Sequence, residues 1–204
     1  MFQFIKKLLT ILTLLSLVSI GVLIADKQYL KEEILRLHVV ANSDSQQDQD
    51  IKLHVKNALL AYFEENMAGI TDAQTAKKYL IEHLRDFEQV ANETLRSLGV
   101  TDVANVSLTK EEFDLRQYDT FSLPSGVYES LRVEIGEGAG KNWWCVVFPT
   151  LCAGATTEDF KATAASSGMN SGLSNTLAEE QGYEIRFLFL DWLGKVENFF
   201  SQKT

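Results

Sequence analysis

The hydrophobic pattern opens with one long apolar run and then changes period several times. Residues 8–25 carry no charge and follow Lys6 and Lys7, which are the only charges in the first 25 residues. As a helix at about 1.5 Å per residue, this run measures roughly 27 Å, close to the hydrocarbon thickness of a bilayer. A basic flank before such a run predicts a cleaved signal peptide or a single transmembrane anchor over residues 1–25, with the remainder exported.

Strand and helix periods alternate in the next part of the chain. After a polar, helix-compatible connector at 26–33, the alternation at 34–41 predicts a strand. Helical spacing then predicts one helix that ends at Gly69 and a second that starts at Thr71 and stops at Gly99. Two consecutive helices with a short connection are expected to form a hairpin that covers one face of a sheet.

The chain then returns to strand-like patterns. Strands are predicted at 104–111, 126–135 and 143–148, and the last two are expected to form an antiparallel hairpin through a glycine-rich turn. The predicted class is α+β in the order β-α-α-β-β-β-α, with a small, mainly antiparallel sheet covered by helices. The predicted organisation after the N-terminal signal or anchor helix and its connector is an α+β domain at 34–152, a flexible Ala/Ser/Gly-rich loop at 153–182 and a C-terminal apolar helix at 183–204.

The terminal helix is apolar on more than one face, so it either packs into the core or contacts a partner or membrane. Composition adds that 46% of the residues are hydrophobic, enough for a packed core. The formal net charge is −9, from 28 acidic and 19 basic side chains. Because nucleic-acid affinity depends on Lys and Arg displacing counterions, this charge disfavours a nucleic-acid partner.

The sequence lacks the patterns that common enzyme and metal sites require. The stretch GEGAGKN at 136–142 is preceded by Ile135, where a phosphate-binding loop needs its first glycine, and it ends in Asn142, where that loop needs Ser or Thr. The three histidines have no second His or Cys at zinc-ligand spacing, and Ser43 lacks a nucleophile elbow. We therefore predict no catalytic residues, no metal and no cofactor.

Two groups of residues are candidates for contact with a partner protein. The first lies beside the glycine-rich turn and combines a cation, an amide and two large aromatic rings: Lys141, Asn142, Trp143 and Trp144. Adjacent strand residues point to opposite faces, so one Trp is expected to face the core and the other to face outward. The second group lies at the end of the first strand: His38, Asn42 and Asp44. A purely structural histidine is the alternative for His38.

Cys145 and Cys152 are separated by six residues that include Pro149. In an exported domain they can form a disulfide if their Cα atoms come within about 7 Å. Two buried free thiols are the alternative.

Two longer strings resemble the stage II sporulation protein R family of endospore-forming bacteria. One is RLHVVANSDS at 36–45, and the other is LPSGVYESLRVEIGEG at 123–138, which continues with GKNWWCV at 140–146. The resemblance implies a protein exported from the forespore into the intermembrane space, where it triggers a mother-cell membrane aspartic protease. That protease cleaves the inactive precursor of sigma factor E.

The resemblance therefore implies a sporulation signalling protein and not an enzyme. If residues 1–25 are not cleaved off, they would bind the forespore membrane, which is then a second partner. An alternative is an extracytoplasmic hydrolase that acts on cell wall or peptide, with His38 and Asp44 as its acid and base. A membrane-attached scaffold, in which the terminal helix is essential, is a third possibility.

Overall fold

Helices and strands follow one another in mixed order in a computed structural model, which describes residues 2–118, 120–149, 157–169, 171–178 and 185–201. The helices within these ranges are α1 (Phe2–Glu33), α2 (Gln46–Asn66), α3 (Ala73–Glu82), α4 (Leu84–Ser97), α5 (Thr157–Ser166), α6 (Ser171–Ala178) and α7 (Ile185–Ser201). The strands are β1 (Leu35–Val40), β2 (Ala104–Phe113), β3 (Arg116–Gln117), β4 (Ser122–Leu123), β5 (Gly126–Ile135) and β6 (Asn142–Phe148).

The main sheet has four strands in the order β2-β5-β1-β6. β1 is parallel to β5 and antiparallel to β6, and β2 is antiparallel to β5. The predicted α+β class with a mainly antiparallel sheet is therefore confirmed. The predicted β5–β6 hairpin is wrong, because β1 lies between these two strands. All six residues of β1 are buried, and a strand of this kind needs a neighbour on each edge and a covered surface on each face.

The two faces of the sheet pack against different groups of elements. Leu37 and Val39 of β1 face a core built with α2, α3 and α4, whereas Ile34 and Val146 belong to a second core. That second core includes residues of the β4 strand and of α5, α6 and α7. The sheet is therefore covered by helices on both faces.

The predicted second helix is interrupted at His83, which separates α3 from α4. Its start is also shifted by one residue, because Asp72 caps α3 by accepting a hydrogen bond from the Thr75 N–H at 2.8 Å. The His83 ring stacks on Tyr79 and hydrogen-bonds to Asp86, so the break is stabilised by its neighbours. The apolar stripe continues through it, with Leu80, Phe87, Ala91 and Leu95 all buried.

Two helices stand where a flexible loop was expected within residues 153–182. In α5, Phe160 and Ala164 are buried, and Leu173 and Leu177 of α6 are fully buried. Both pairs have the i, i+4 spacing of one helix face, and alanine favours helix strongly. The small-residue composition of this segment therefore reflects close helix packing in the described part.

α1 is the one helix in the described part of the chain that is long and apolar enough to cross a membrane. Its apolar residues up to Val22 are exposed, but Leu23 packs on the second core and Asp26 and Leu30 are buried. The predicted connector at 26–33 is thus the last part of this same helix. Ile34 alone separates α1 from β1.

α7 is fixed to the segment that precedes β5. The buried Asp191 carboxylate accepts hydrogen bonds from the Ser125 N–H at 3.0 Å and from the Ser125 hydroxyl at 2.6 Å. Gly194 lies so close that a Cβ there would be 1.5 Å from the Ser125 carbonyl oxygen. Of the two placements predicted for the terminal helix, core packing is correct for this face, while Leu188 and Trp192 remain exposed.

Candidate partner-binding surface

The predicted contact residues lie at the end of the sheet opposite α1. β1 runs away from α1, and at about 3.3 Å per residue its six residues measure roughly 20 Å. Asn42 and Asp44 follow β1 at that far end, where the glycine-rich loop between β5 and β6 also lies. The two groups predicted separately from the sequence therefore form one surface.

The backbone of this loop is held by groups around the end of β1. The N–H groups of Ala139 and Gly140 donate to the carbonyls of Asn42 and Ala41, at 3.1 and 2.9 Å. The Asp44 carboxylate accepts from the Lys141 N–H at 2.7 Å. A Cβ at Gly140 would lie 2.2 Å from the Ser43 carbonyl oxygen, so the close approach of the two segments requires glycine.

Charged groups beneath the loop complete this support. The buried Lys52 ammonium of α2 donates to the Lys141 carbonyl at 2.9 Å and to Gln49 at 2.7 Å. Burial lowers the pKa of Lys52, and the nearby Asp44 carboxylate opposes this effect. Asp48 accepts a hydrogen bond from the Ser43 hydroxyl, which lowers the pKa of Asp48. The loop is therefore positioned by backbone contacts that do not use the side chains of Lys141 and Asn142.

His38 is at the centre of a polar network on the sheet face that carries the second core. Its Nδ1 lies 3.0 Å from one oxygen of the Glu111 carboxylate, and its Nε2 lies 2.8 Å from Asn142 Oδ1. An ionised carboxylate only accepts, so Nδ1 donates to Glu111. The amide of Asn142 can present its oxygen or its nitrogen to Nε2, and it can therefore satisfy the ring in either protonation state.

Glu111 links this histidine to a basic residue on β5. Arg132 donates to Glu111 and also pairs with Glu134 at 2.6 Å. Burial alone would raise the pKa of Glu111, but hydrogen bonds from His38 and Arg132 outweigh it and hold that pKa below its ordinary value. Glu111 and Arg132 were not singled out from the sequence, because the β2–β5–β1 register that brings them to His38 is long-range.

The two tryptophans point to opposite faces, as their alternation predicts. Trp144 stacks on His38 with ring centroids 5.4 Å apart. The guanidinium of Arg116, on strand β3, lies 3.7 Å from the Trp144 ring centroid. Trp143 packs against the first core and lies 5.0 Å from the Lys56 ammonium. Both rings are half-buried, so the expectation that one projects outward is wrong. Lys141 and Asn142 are the exposed members of this group.

A second arginine on the same sheet face was also not singled out. Arg36 is fully buried, lies 3.7 Å from the Phe113 ring centroid and donates to the Tyr118 hydroxyl at 2.8 Å. Its Nε and Nη1 have no hydrogen-bond partner among the described residues. Burial lowers the pKa of Arg36. Its aromatic surroundings make it part of the packing beneath the surface and not of the surface itself.

The geometry does not assemble the acid–base pair of the hydrolase alternative. The His38 ring nitrogens lie within hydrogen-bond distance of Glu111, Asn142 and Arg132, whereas the Asp44 carboxylate accepts from the Lys141 backbone N–H. Among the described residues no group of three or more His, Cys, Asp and Glu side chains is placed to hold a metal ion. Cys145 is buried in β6, but Cys152 lies outside the described residues, so the disulfide stays a prediction.

The pH dependence of stability tests the Glu111 network. Because the pKa of Glu111 is lower in the folded state than its ordinary value of 4.5, its charge stabilises the fold above that value. This contribution is lost as the pH falls through the lowered folded-state pKa. We expect Glu111→Gln to reduce the free energy of unfolding by about 2 kcal/mol at neutral pH, and by progressively less in acid.

Urea denaturation at a series of pH values measures this difference, and the exposed Glu64→Gln on α2 is the matched control. If the free energy of unfolding that Glu111→Gln removes stays constant down to strongly acidic pH, the charge of the Glu111 carboxylate does not stabilise the fold as proposed.

By its architecture, this protein is a mixed α/β body that follows an apolar helix of membrane-spanning length and carries a polar surface at its far end. The family model of stage II sporulation protein R matches residues 31–158, so the chain belongs to that family. It is 28% identical over 182 residues to the stage II sporulation protein R of Bacillus subtilis (strain 168), covering 80% of this chain and 81% of that protein. No solved structure matches the chain. The family is named for a stage of sporulation, and the chain accordingly has a role in sporulation.

Proposed function

We propose that this chain is an exported signalling protein that activates a mother-cell membrane aspartic protease, which then cleaves the precursor of sigma factor E. The observation that carries the proposal is the position of the two strings that resemble the family, because their segments at 42–45 and 136–142 meet at one solvent-accessible surface. That surface lies at the opposite end of the body from the apolar helix. A signalling protein inserted through α1 would present it away from its own membrane.

The proposed location is the intermembrane space, with the chain exported from the forespore. α1 has the basic flank and apolar length of a signal or anchor. The last part of α1 is fixed to the body, because Leu30 is buried in the second core and Glu197 of α7 pairs with Lys27 at 2.9 Å. Cleavage after residue 25 would keep these contacts but end the helix at the surface of the body.

Activation requires that the surface bind one state of the protease more tightly than the other. A ligand with equal affinity for both states leaves their populations unchanged, whatever its affinity. The partner-binding groups proposed are Lys141 and Asn142 at the exposed tip, supported by Trp143, Trp144, His38, Asn42 and Asp44. A preformed loop suits this task, because little conformational entropy is lost when a rigid surface binds.

Co-expression in a non-sporulating host tests the function. The chain, the membrane aspartic protease and the sigma factor E precursor are produced together, and shortening of the precursor is scored by immunoblot. We expect cleavage only when all three are present. Cleavage without the chain, or none with it, would contradict the proposal.

A variant that cannot enter the membrane is the control for topology. Leu12→Arg with Leu15→Arg places two charges in the apolar run, and each costs about 3 kcal/mol at the centre of a membrane helix. This variant should accumulate inside the cell and fail to promote cleavage. With the native chain, proteinase K added to sealed protoplasts should digest the body.

A further inference from the structure

The outer face of α7 is apolar although the helix is already anchored to the core by its other face. Leu190 is fully buried and Asp191 and Gly194 are also buried, whereas Leu188, Trp192 and Phe199 are 54%, 55% and 56% exposed. At about 100° per residue, the three exposed side chains point within roughly 40° of one another. They form an apolar stripe on the side opposite the buried face.

α7 lies across the end of the sheet at which α1 leads into β1. β1 and β5 are parallel, and β5 begins at Gly126, opposite the last residue of β2, Phe113. α7 contacts this end through Gly194 at the Ser125 carbonyl and through Asn198, which donates to the Phe113 carbonyl at 3.1 Å. Because the buried face of α7 is directed to the sheet, its apolar stripe is directed away from the sheet, at the end of the sheet where α1 leads into β1.

The same helix is tied directly to α1. The Glu197 carboxylate pairs with Lys27 at 2.9 Å and with Lys31 at 2.5 Å. Burial alone would raise the pKa of Glu197, but the hydrogen bonds from Lys31 and Lys27 lower it, so the carboxylate is charged at neutral pH. α7 is thereby held within about one helical turn of the exposed apolar part of α1.

The position of the bilayer follows from the length of α1. About 20 residues are needed to cross the hydrocarbon, and counted from Lys7 they end near Lys27. Leu23, which packs on the second core, then lies four residues, or about 6 Å, inside that limit, so the body and the outer bilayer boundary meet directly. No linker separates the body from the membrane, since α1 is one continuous helix up to Glu33.

We propose that the stripe of Leu188, Trp192 and Phe199 on α7 lies in the lipid interface beside α1 and sets the orientation of the body on the bilayer. Tryptophan and lysine are typical of such interfaces, and Lys195 is exposed along the same stripe. The inference rests on the proposed membrane anchoring by α1. It assigns the stripe to lipid and not to the protease or a second copy of the chain.

Tryptophan fluorescence of the full chain in lipid nanodiscs tests this proposal. Discs of phosphatidylcholine and phosphatidylglycerol are prepared with unlabelled lipid, and with lipid brominated either near the headgroup or near the bilayer centre. The chain has three tryptophans, so subtracting the emission of Trp192→Phe from that of the native chain isolates Trp192. We expect Trp192 to lose most of its emission to bromine near the headgroup and less to bromine at the centre.

Trp143→Phe is the matched control, because Trp143 packs on the opposite sheet face and its loss should leave the bromine quenching unchanged. Equal quenching of the native chain and Trp192→Phe would overturn the proposal. Shielding of Trp192 only in discs with two copies, without bromine quenching, would overturn it in favour of self-association.

Failure of this inference is distinguishable from failure of the proposed function. Co-elution of the chain with the discs at high salt reports the anchoring by α1, and precursor cleavage in the co-expression host reports signalling. A chain that co-elutes and signals but shows no Trp192 quenching overturns the lipid contact alone. A chain that does not co-elute overturns the anchoring and the lipid contact together.

Discussion

Gly194→Ala is expected to release α7 from the body and to lower the free energy of unfolding by about 3 kcal/mol or more. The added Cβ would lie 1.5 Å from the Ser125 carbonyl oxygen and 2.2 Å from its carbon. Both atoms belong to the backbone, so no side-chain rotation relieves the overlap. The helix must move away from the sheet edge, and the hydrogen bonds between Asp191 and Ser125 are then lost.

Urea denaturation in detergent measures the loss of stability, and limited proteolysis reports whether α7 becomes accessible. Gly21→Ala is the matched control, since a Cβ there has no atom within 4 Å and alanine favours helix. Gly21→Ala should leave the free energy of unfolding unchanged or slightly raised. Native-like stability and protease resistance of Gly194→Ala would contradict the close packing of α7 on Ser125.

Replacing Lys141 and Asn142 together by alanine is expected to abolish precursor processing in the co-expression host while the body stays folded. Both residues are exposed, and the loop that carries them is held through the backbone by Asp44 and Lys52. The main structural loss is the hydrogen bond between Asn142 and His38, which costs about 1 kcal/mol. Loss of a cation and an amide at the centre of a contact surface costs far more in binding.

The double variant Lys78→Ala with Asn57→Ala removes the same two chemical groups from exposed positions on α3 and α2. These helices cover the opposite sheet face, and processing should be unaffected. Thermal unfolding of both double variants checks that each is folded. Native levels of processing by the Lys141/Asn142 variant would remove this loop from the proposed contact surface.

The elements that depend on local pattern could be predicted from the sequence. The strand at 126–135 has the predicted bounds, and the apolar helix at the N-terminus is present. The strand order could not be predicted, because the pairing of β1 with β5 joins residues more than 90 positions apart. The alternation at 34–41 predicts the strand β1, but which strands flank β1 depends on the pairing of the whole sheet.

The composition of residues 157–178 led to the wrong structure for a physical reason. Alanine and serine are common in flexible segments, but alanine also allows helices to pack closely. The signal that distinguishes the two is the buried pair Phe160 and Ala164, followed by Leu173 and Leu177. That spacing is visible in the sequence but is weak in helices of eight to ten residues.

The candidate surface was predicted as two separate groups, and the fold joins them. Trp144 and His38 occupy directly paired positions of β6 and β1, which explains their stacking. Glu111 and Arg132 were missed because neither stands beside His38 in the sequence. Arg116 was missed because a two-residue strand gives no period to detect.

The single-residue connection between α1 and β1 has a consequence for the geometry of signalling. With Ile34 alone between a continuous helix and the central strand, the body cannot extend on a tether. In the proposed membrane-anchored state, its tip would therefore stand at a constant height above the bilayer that holds α1. The proposed receptor in a facing bilayer would then be reached only when the two lipid surfaces approach to within that height, which would make the width of the gap between them a condition for the proposed signal.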